Sequence, residues 1–150
     1  NPHLKGTDIE TIRQSCAKFL DSPTSVINFV EGTRFSPAKA QERKSPFSNL
    51  LPPKAGGIAF TLASMGEQFS NLLDITLAYP QNADHPMRDM LSGDMTHIVI
   101  DVSVHPVHEQ IIGDYFNNSG FRENFQVWLN ELWVNKNTRM KTWMKGLKAQ

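Results

Sequence analysis

Near the amino end, Ile9, Ile12, Cys16, Phe19 and Leu20 recur at helical spacing and predict an amphipathic helix. Thr7 and Glu10 form a capping box ahead of it, and Asp21-Ser22-Pro23 stops it. Residues 26–30, Val-Ile-Asn-Phe-Val, read as a short buried strand. Residues 35–53 carry four prolines and several charges with no sustained period, which predicts a long loop of the kind that is usually functional or mobile. A helix with a small-residue face is expected over 57–69, a second strand over 74–79 ended by Pro80, a short helix over 86–91 and a third strand over 96–104. From Gly120 a long amphipathic helix begins. Its apolar face is Phe121, Phe125, Trp128, Leu129, Leu132 and Trp133, resumed at Met140, Trp143 and Met144. Strand, helix, strand order predicts an α/β fold with at least partly parallel pairing, in which ligands bind beyond the carboxyl ends of the strands.

A length of 150 residues is enough for one domain with a real core. Fifteen basic residues balance fifteen acidic ones, which argues against a nucleic-acid partner. The balance is local, however. Residues 134–150 hold Lys136, Arg139, Lys141, Lys145 and Lys148 and no acidic residue, a pattern suited to a membrane surface. The single cysteine, Cys16, falls on the apolar face of the first helix and reads as a small buried hydrophobe in a reducing compartment. No apolar stretch is long enough to cross a membrane.

Chemistry concentrates at Phe29-Val30-Glu31-Gly32-Thr33-Arg34. A glycine directly after a strand lets the backbone turn sharply and approach a ligand. Thr33 adds a hydroxyl. Arg34 offers a planar fork of donors matched to phosphate oxygens, and Glu31 is placed to hold Arg34 or to accept from a substrate hydroxyl. The set suits a phosphate monoester bearing a free hydroxyl. The bland alternative is a plain turn with a surface arginine.

Further stretches agree with this block in order: Leu51-Pro52-Pro53-Lys54-Ala55-Gly56-Gly57, Asp74-Ile75-Thr76-Leu77-Ala78-Tyr79-Pro80, Leu91-Ser92-Gly93, the strand reaching His105-Pro106, and the Trp128 to Trp133 helix continued by Asn135-Lys136. Together they resemble the glycerolipid acyltransferase superfamily of 1-acylglycerol-3-phosphate and lysophospholipid acyltransferases, in its lysocardiolipin acyltransferase-like branch. The resemblance covers nearly the whole chain. It implies a partial glycerol-3-phosphate acyltransferase-like α/β sheet, with residues 1–150 as the carboxyl-terminal part of an acyltransferase domain. By the same resemblance, Glu31, Gly32, Thr33 and Arg34 bind the acceptor's phosphate and glycerol, Lys54 and Gly56 line that site, and Pro80 stands near the acyl-donor pocket. The implied reaction moves a fatty acyl group from acyl-CoA or acyl carrier protein to the free hydroxyl of a lysophospholipid, with no metal or other cofactor. The implied setting is a bacterial membrane enzyme of phospholipid biosynthesis or remodelling at the cytoplasmic face of the inner membrane, this chain itself being soluble.

The family's reaction rests on His-x4-Asp, in which the histidine takes the acceptor hydroxyl's proton and the aspartate orients the imidazole. His3 and Asp8 match that spacing but stand too close to Glu31, and Asp8 sits in a helix first turn where a carboxylate favours the dipole. The chain begins Asn1-Pro2, and the true motif is expected in a removed amino-terminal part. The chain alone is then expected to be inactive, and its uncovered surfaces to favour self-association. An alternative is a non-catalytic phospholipid-binding or interaction module. A third reading, a metal-dependent hydrolase using His105 and His108, lacks a third ligand at suitable spacing.

Overall fold

A computed structural model describes residues 23–82 and 84–146, with side chains described to residue 144. The helix expected over the first twenty residues, with His3, Asp8 and Cys16, lies outside the described residues. The elements run α1 (Pro37–Glu42), α2 (Ala55–Met65), a 3-10 turn (Gly66–Gln68), β1 (Asn71–Ala78), α3 (Pro86–Ser92), β2 (Val99–Pro106), a 3-10 turn (Glu109–Ile111) and α4 (Ser119–Gly146).

The core is the seam between α2 and α4. On α2, Ala55, Ile58, Ala59, Leu62 and Met65 are buried at three- and four-residue spacing. On α4, Phe125, Leu129, Trp133 and Met140 are buried, with Leu50 and Leu51 beneath them from the preceding loop. Phe125 packs edge-to-face with Tyr115 and tilted against Phe121 and Trp128, with ring centroids 5.6, 5.8 and 5.1 Å apart. Asn118 sets the start of α4, since its Oδ1 accepts from Phe121 N at 3.0 Å.

β1 and β2 form a two-stranded antiparallel sheet in register from Asn71↔Pro106 to Ala78↔Val99. The parallel pairing expected from the sequence is not found among the described residues. The link between the strands holds one seven-residue helix, α3, about 10 Å long. Each strand has eight residues, about 27 Å. The link of twenty residues, 79–98, is long enough for a crossover, but it closes on itself, Asn82 Nδ2 donating to Asp89 Oδ2 at 2.9 Å and to Asp94 O at 3.4 Å, so the second strand starts at the end where the first stops.

The hairpin reverses the usual alternation. Its outer face is apolar and exposed: Leu73 opposite Val104, Ile75 opposite Val102, Leu77 opposite Ile100. Its inner face is polar and covered by α4: Asp74, Thr76 and Ala78 are buried, with Asp101, Ser103 and His105 half-buried beside them. The inner carboxylates meet cations from α4. Lys136 Nζ lies 2.5 Å from Asp74, and Arg139 reaches Asp74 at 3.6 Å and Asp101 at 3.0 Å. Burying such groups is tolerable only because they are paired.

Two further expectations are corrected. Residues 26–30 do not form a strand: the segment is extended but pairs with no strand among the described residues, and Ile27 and Phe29 are 79% and 82% exposed. Its apolar composition is real, but its backbone meets a turn and a helix cap rather than a strand: Gly32 N donates to Phe29 O at 2.8 Å and Lys54 N to Val30 O at 2.9 Å. Within the expected long loop, residues 37–42 are helical. Ser36 caps them, accepting from Lys39 N at 3.3 Å, and Pro37 occupies the first turn.

Candidate functional site

Phe29 O accepts from Gly32 N at 2.8 Å, closing a tight turn, and Gly32 adopts φ +70°, the left-handed region that favours glycine. Gly32, Thr33 and Arg34 therefore follow a reversal of the chain rather than the end of a strand. The Lys54 side chain lies over Gly32, close enough that a Cβ built on the glycine would meet its Nζ at 3.5 Å. Lys54 is also the cap residue of α2, and no side chain caps that helix. The backbone N–H groups of its first turn, at Ala55, Gly56 and Gly57, thus stand beside the cation over Gly32, where the helix dipole favours an anion. A Cβ at Gly56 would meet nothing within 4 Å, whereas one at Gly57 would meet the Asn28 side-chain amide at 3.1 Å.

Further cations gather from α1 and its cap. Lys39 Nζ donates to Thr33 Oγ1 at 2.9 Å and to Arg34 O at 3.3 Å, and Arg43 donates to Glu31 O at 3.1 Å. Arg34 is exposed, and its guanidinium makes no hydrogen bond or ion pair among the described residues. Lys39 and Arg43 were missed in the sequence because residues 35–53 read as loop. Ser36-Pro37, an N-cap followed by proline, was the available signal.

Glu31 points elsewhere. Its carboxyl lies on the α4 side, near Leu51, Trp133 and Lys136, and does not hold Arg34. Burial pushes its pKa above the ordinary carboxylate value of 4.5, against the opposing effects of the Leu51 backbone, Lys136, Arg43 and the Trp133 indole. The same indole donates to Leu51 O at 3.0 Å.

The structure thus gathers Gly32, Thr33, Arg34, Lys54 and the Gly56 backbone around one cationic turn, with Glu31 as its foot. Pro80 is buried just past the end of β1. His105 lies on the inner hairpin face with Nε2 unpartnered, and His108 is exposed. Among the described residues no three His, Cys, Asp or Glu side chains gather as a metal site would need, and no helix is long and apolar enough to cross a membrane.

No family profile matches the chain, and no solved structure matches it. One curated protein similar to it is lysocardiolipin acyltransferase 1 of Gallus gallus, 24% identical over 142 residues. That alignment covers 87% of this chain but 35% of the relative, so the chain spans about a third of the length of the protein it matches. The similarity is to an acyltransferase and reaches no further than that.

Proposed function

We propose that the chain is the acceptor-binding part of an acyltransferase that moves a fatty acyl group from a thioester donor, acyl-CoA or acyl carrier protein, to the free hydroxyl of a lysophospholipid such as 1-acylglycerol-3-phosphate. The observation that carries this reading is the meeting of the left-handed Gly32 turn with Lys54 and the uncapped start of α2, within a chain similar to an acyltransferase. A phosphate monoester placed there accepts from α2 backbone N–H groups and from Lys54, while Arg34 closes on it with two parallel hydrogen bonds. Lys39 orders the loop, pinning Thr33 and the Arg34 carbonyl. The glycerol end of the acceptor is assigned to Glu31 and Thr33, and Pro80 to the neighbourhood of the acyl donor. The general base that deprotonates the acceptor hydroxyl is assigned to another part of the whole protein, which works at the cytoplasmic face of a membrane.

Acyl-transfer kinetics in the whole protein test the reading. Arg34→Ala and Arg34→Lys should both raise the acceptor's KM or lower activity, with the donor's KM little changed, because lysine keeps the charge and loses the fork. Acceptor kinetics at wild-type values in Arg34→Ala would defeat the phosphate assignment. Phospholipid binding without any transfer would favour the binding-module alternative.

A further inference from the structure

Helix α1 and its cap present two cations to opposite flanks of Gly32. Lys39 and Arg43 stand one helical turn apart, so they share one face, and Arg43 N donates to Lys39 O at 3.0 Å. Arg43 Nη1 donates to Glu31 O at 3.1 Å, on the residue before the glycine. Lys39 Nζ donates to Thr33 Oγ1 at 2.9 Å and to Arg34 O at 3.3 Å, on the residues after it. Neither cation forms an ion pair among the described residues. A carboxylate partner would cancel the charge, whereas carbonyl and hydroxyl oxygens hold the side chain and leave its charge in place. The far end of α1 is also fixed. Lys44 takes φ +49° where glycine is usual, with Lys44 N donating to Gln41 O at 3.1 Å and Ser45 N to Ala40 O at 2.8 Å. A side chain persists in that region where its surroundings over-determine it. Here Ser45 Oγ donates to Leu50 O at 2.7 Å and accepts from Phe47 N at 3.2 Å, and the buried Asn137 of α4 accepts from Ser48 N at 3.1 Å.

We propose that Arg43 and Lys39 are positioning residues that clip the two flanks of the Gly32 turn, with the segment behind α1 pegged to α4 through Asn137 so that the clip has a fixed seat. The proposal rests on the reading of that turn as a phosphate site. Within the turn itself a single backbone bond, Gly32 N to Phe29 O, closes the reversal, and a glycine at its centre adds no stiffness. The clip supplies what the turn lacks. Arg43 fixes the carbonyl that enters it, and Lys39 fixes the hydroxyl and the carbonyl that leave it. Arg34 then reaches from an ordered backbone, so closing its guanidinium on an anion loses less conformational freedom. Because both prongs keep their charge, the turn is ordered without being neutralised. Arg43 and Lys39 touch no substrate in this role and act through the turn.

The test follows amide hydrogen exchange at Gly32 by NMR in the 150-residue chain without ligand. Gly32 N–H donates to Phe29 O at 2.8 Å, so its protection reports whether the turn is closed. Arg43→Met and Lys39→Met each remove one prong and keep an aliphatic stem. Each should speed Gly32 exchange about tenfold, the loss of a charge-assisted hydrogen bond, while the Leu129 and Trp133 amides of the α2–α4 seam keep their protection. Arg43→Lys retains an N–H for the Glu31 carbonyl and should restore most of the protection. Cations that serve an anion by charge alone leave Gly32 exchange unmoved. A wild-type rate in either methionine variant therefore overturns the proposal, as does a Gly32 amide that is unprotected in the wild-type chain. Should Lys39→Met or Arg43→Met fail to fold, Thr33→Val takes its place: it removes the hydroxyl that Lys39 grips and keeps the cation, and unchanged Gly32 exchange there overturns the proposal. Glycerol 3-phosphate serves as a second probe, and its affinity should fall about tenfold in Arg43→Met and return in Arg43→Lys. Faster exchange in Arg43→Met with wild-type affinity would overturn the role at the site. If the wild-type chain does not bind glycerol 3-phosphate, the phosphate reading fails, while the exchange rates still judge the clip.

Discussion

Replacing Gly32 with alanine isolates what the turn's backbone contributes. At φ +70° an L-residue brings its Cβ too close to the following carbonyl, at a cost of about 1–2 kcal/mol. Sterics beyond the residue add little, because the new Cβ would meet the Lys54 Cδ and Nζ at 3.5 Å, an ordinary contact with a flexible side chain. The expected loss is therefore the backbone term alone, roughly a five- to thirtyfold change in the folded-to-unfolded ratio. Asparagine tolerates the left-handed region better, and Gly32→Asn should lose less than Gly32→Ala. Urea unfolding measures the loss as a lower midpoint at unchanged slope. If the turn relaxes to negative φ instead of straining, stability is kept but the path between Lys54 and the α2 N-terminus is redirected, and glycerol 3-phosphate affinity falls in its place. Wild-type stability together with wild-type affinity in Gly32→Ala would refute the reasoning.

Three further outcomes are expected. Glu31 is held above its ordinary value, so wild-type stability gains from its protonation below pH 4.5 and loses that gain as pH rises through the raised value; Glu31→Gln should melt higher than wild type at neutral pH, with the difference vanishing below about pH 4.5, as thermal scans across pH can check. Phe125→Ala, at a side chain 1% exposed among three aromatic rings, should cost about 3–5 kcal/mol by denaturant unfolding. The exposed outer face of the hairpin should bind a hydrophobic dye and promote self-association, and Ile75→Lys should reduce both, as dye fluorescence and sedimentation would show.

Helices were the most legible part of the fold. The stripe from Phe121 to Met144 and the small-residue run after Ala55 each carry a period that the α2–α4 seam uses directly. The hairpin strands were legible as segments but not as a sheet. Pairing direction depends on the link between them, and periodicity within a strand says nothing of it. The inverted hairpin was hidden for a related reason. Alternation marks two faces, but only Lys136 and Arg139, some sixty residues beyond β1, show that the polar face is the one α4 covers. Residues 26–30 misled because apolar β-branched composition reads as buried whether or not a partner strand stands beside it. At the site, Gly32 was legible as a turn glycine and Arg34 as an open donor. The engagement of Glu31 with α4 was not, because it joins side chains roughly a hundred residues apart.

Calorimetric titration of the 150-residue chain with 1-acylglycerol-3-phosphate, below its micelle-forming concentration, tests the central claim most directly. Removing one charge-assisted grip should cost on the order of 1.5–3 kcal/mol. Saturable binding to the wild-type chain should therefore weaken roughly ten- to a hundredfold in Arg34→Ala, by a similar amount in Arg34→Lys, and disappear when the ligand's phosphate is removed. Equal binding by wild type and Arg34→Ala, or undiminished binding of the dephosphorylated ligand, would contradict the account.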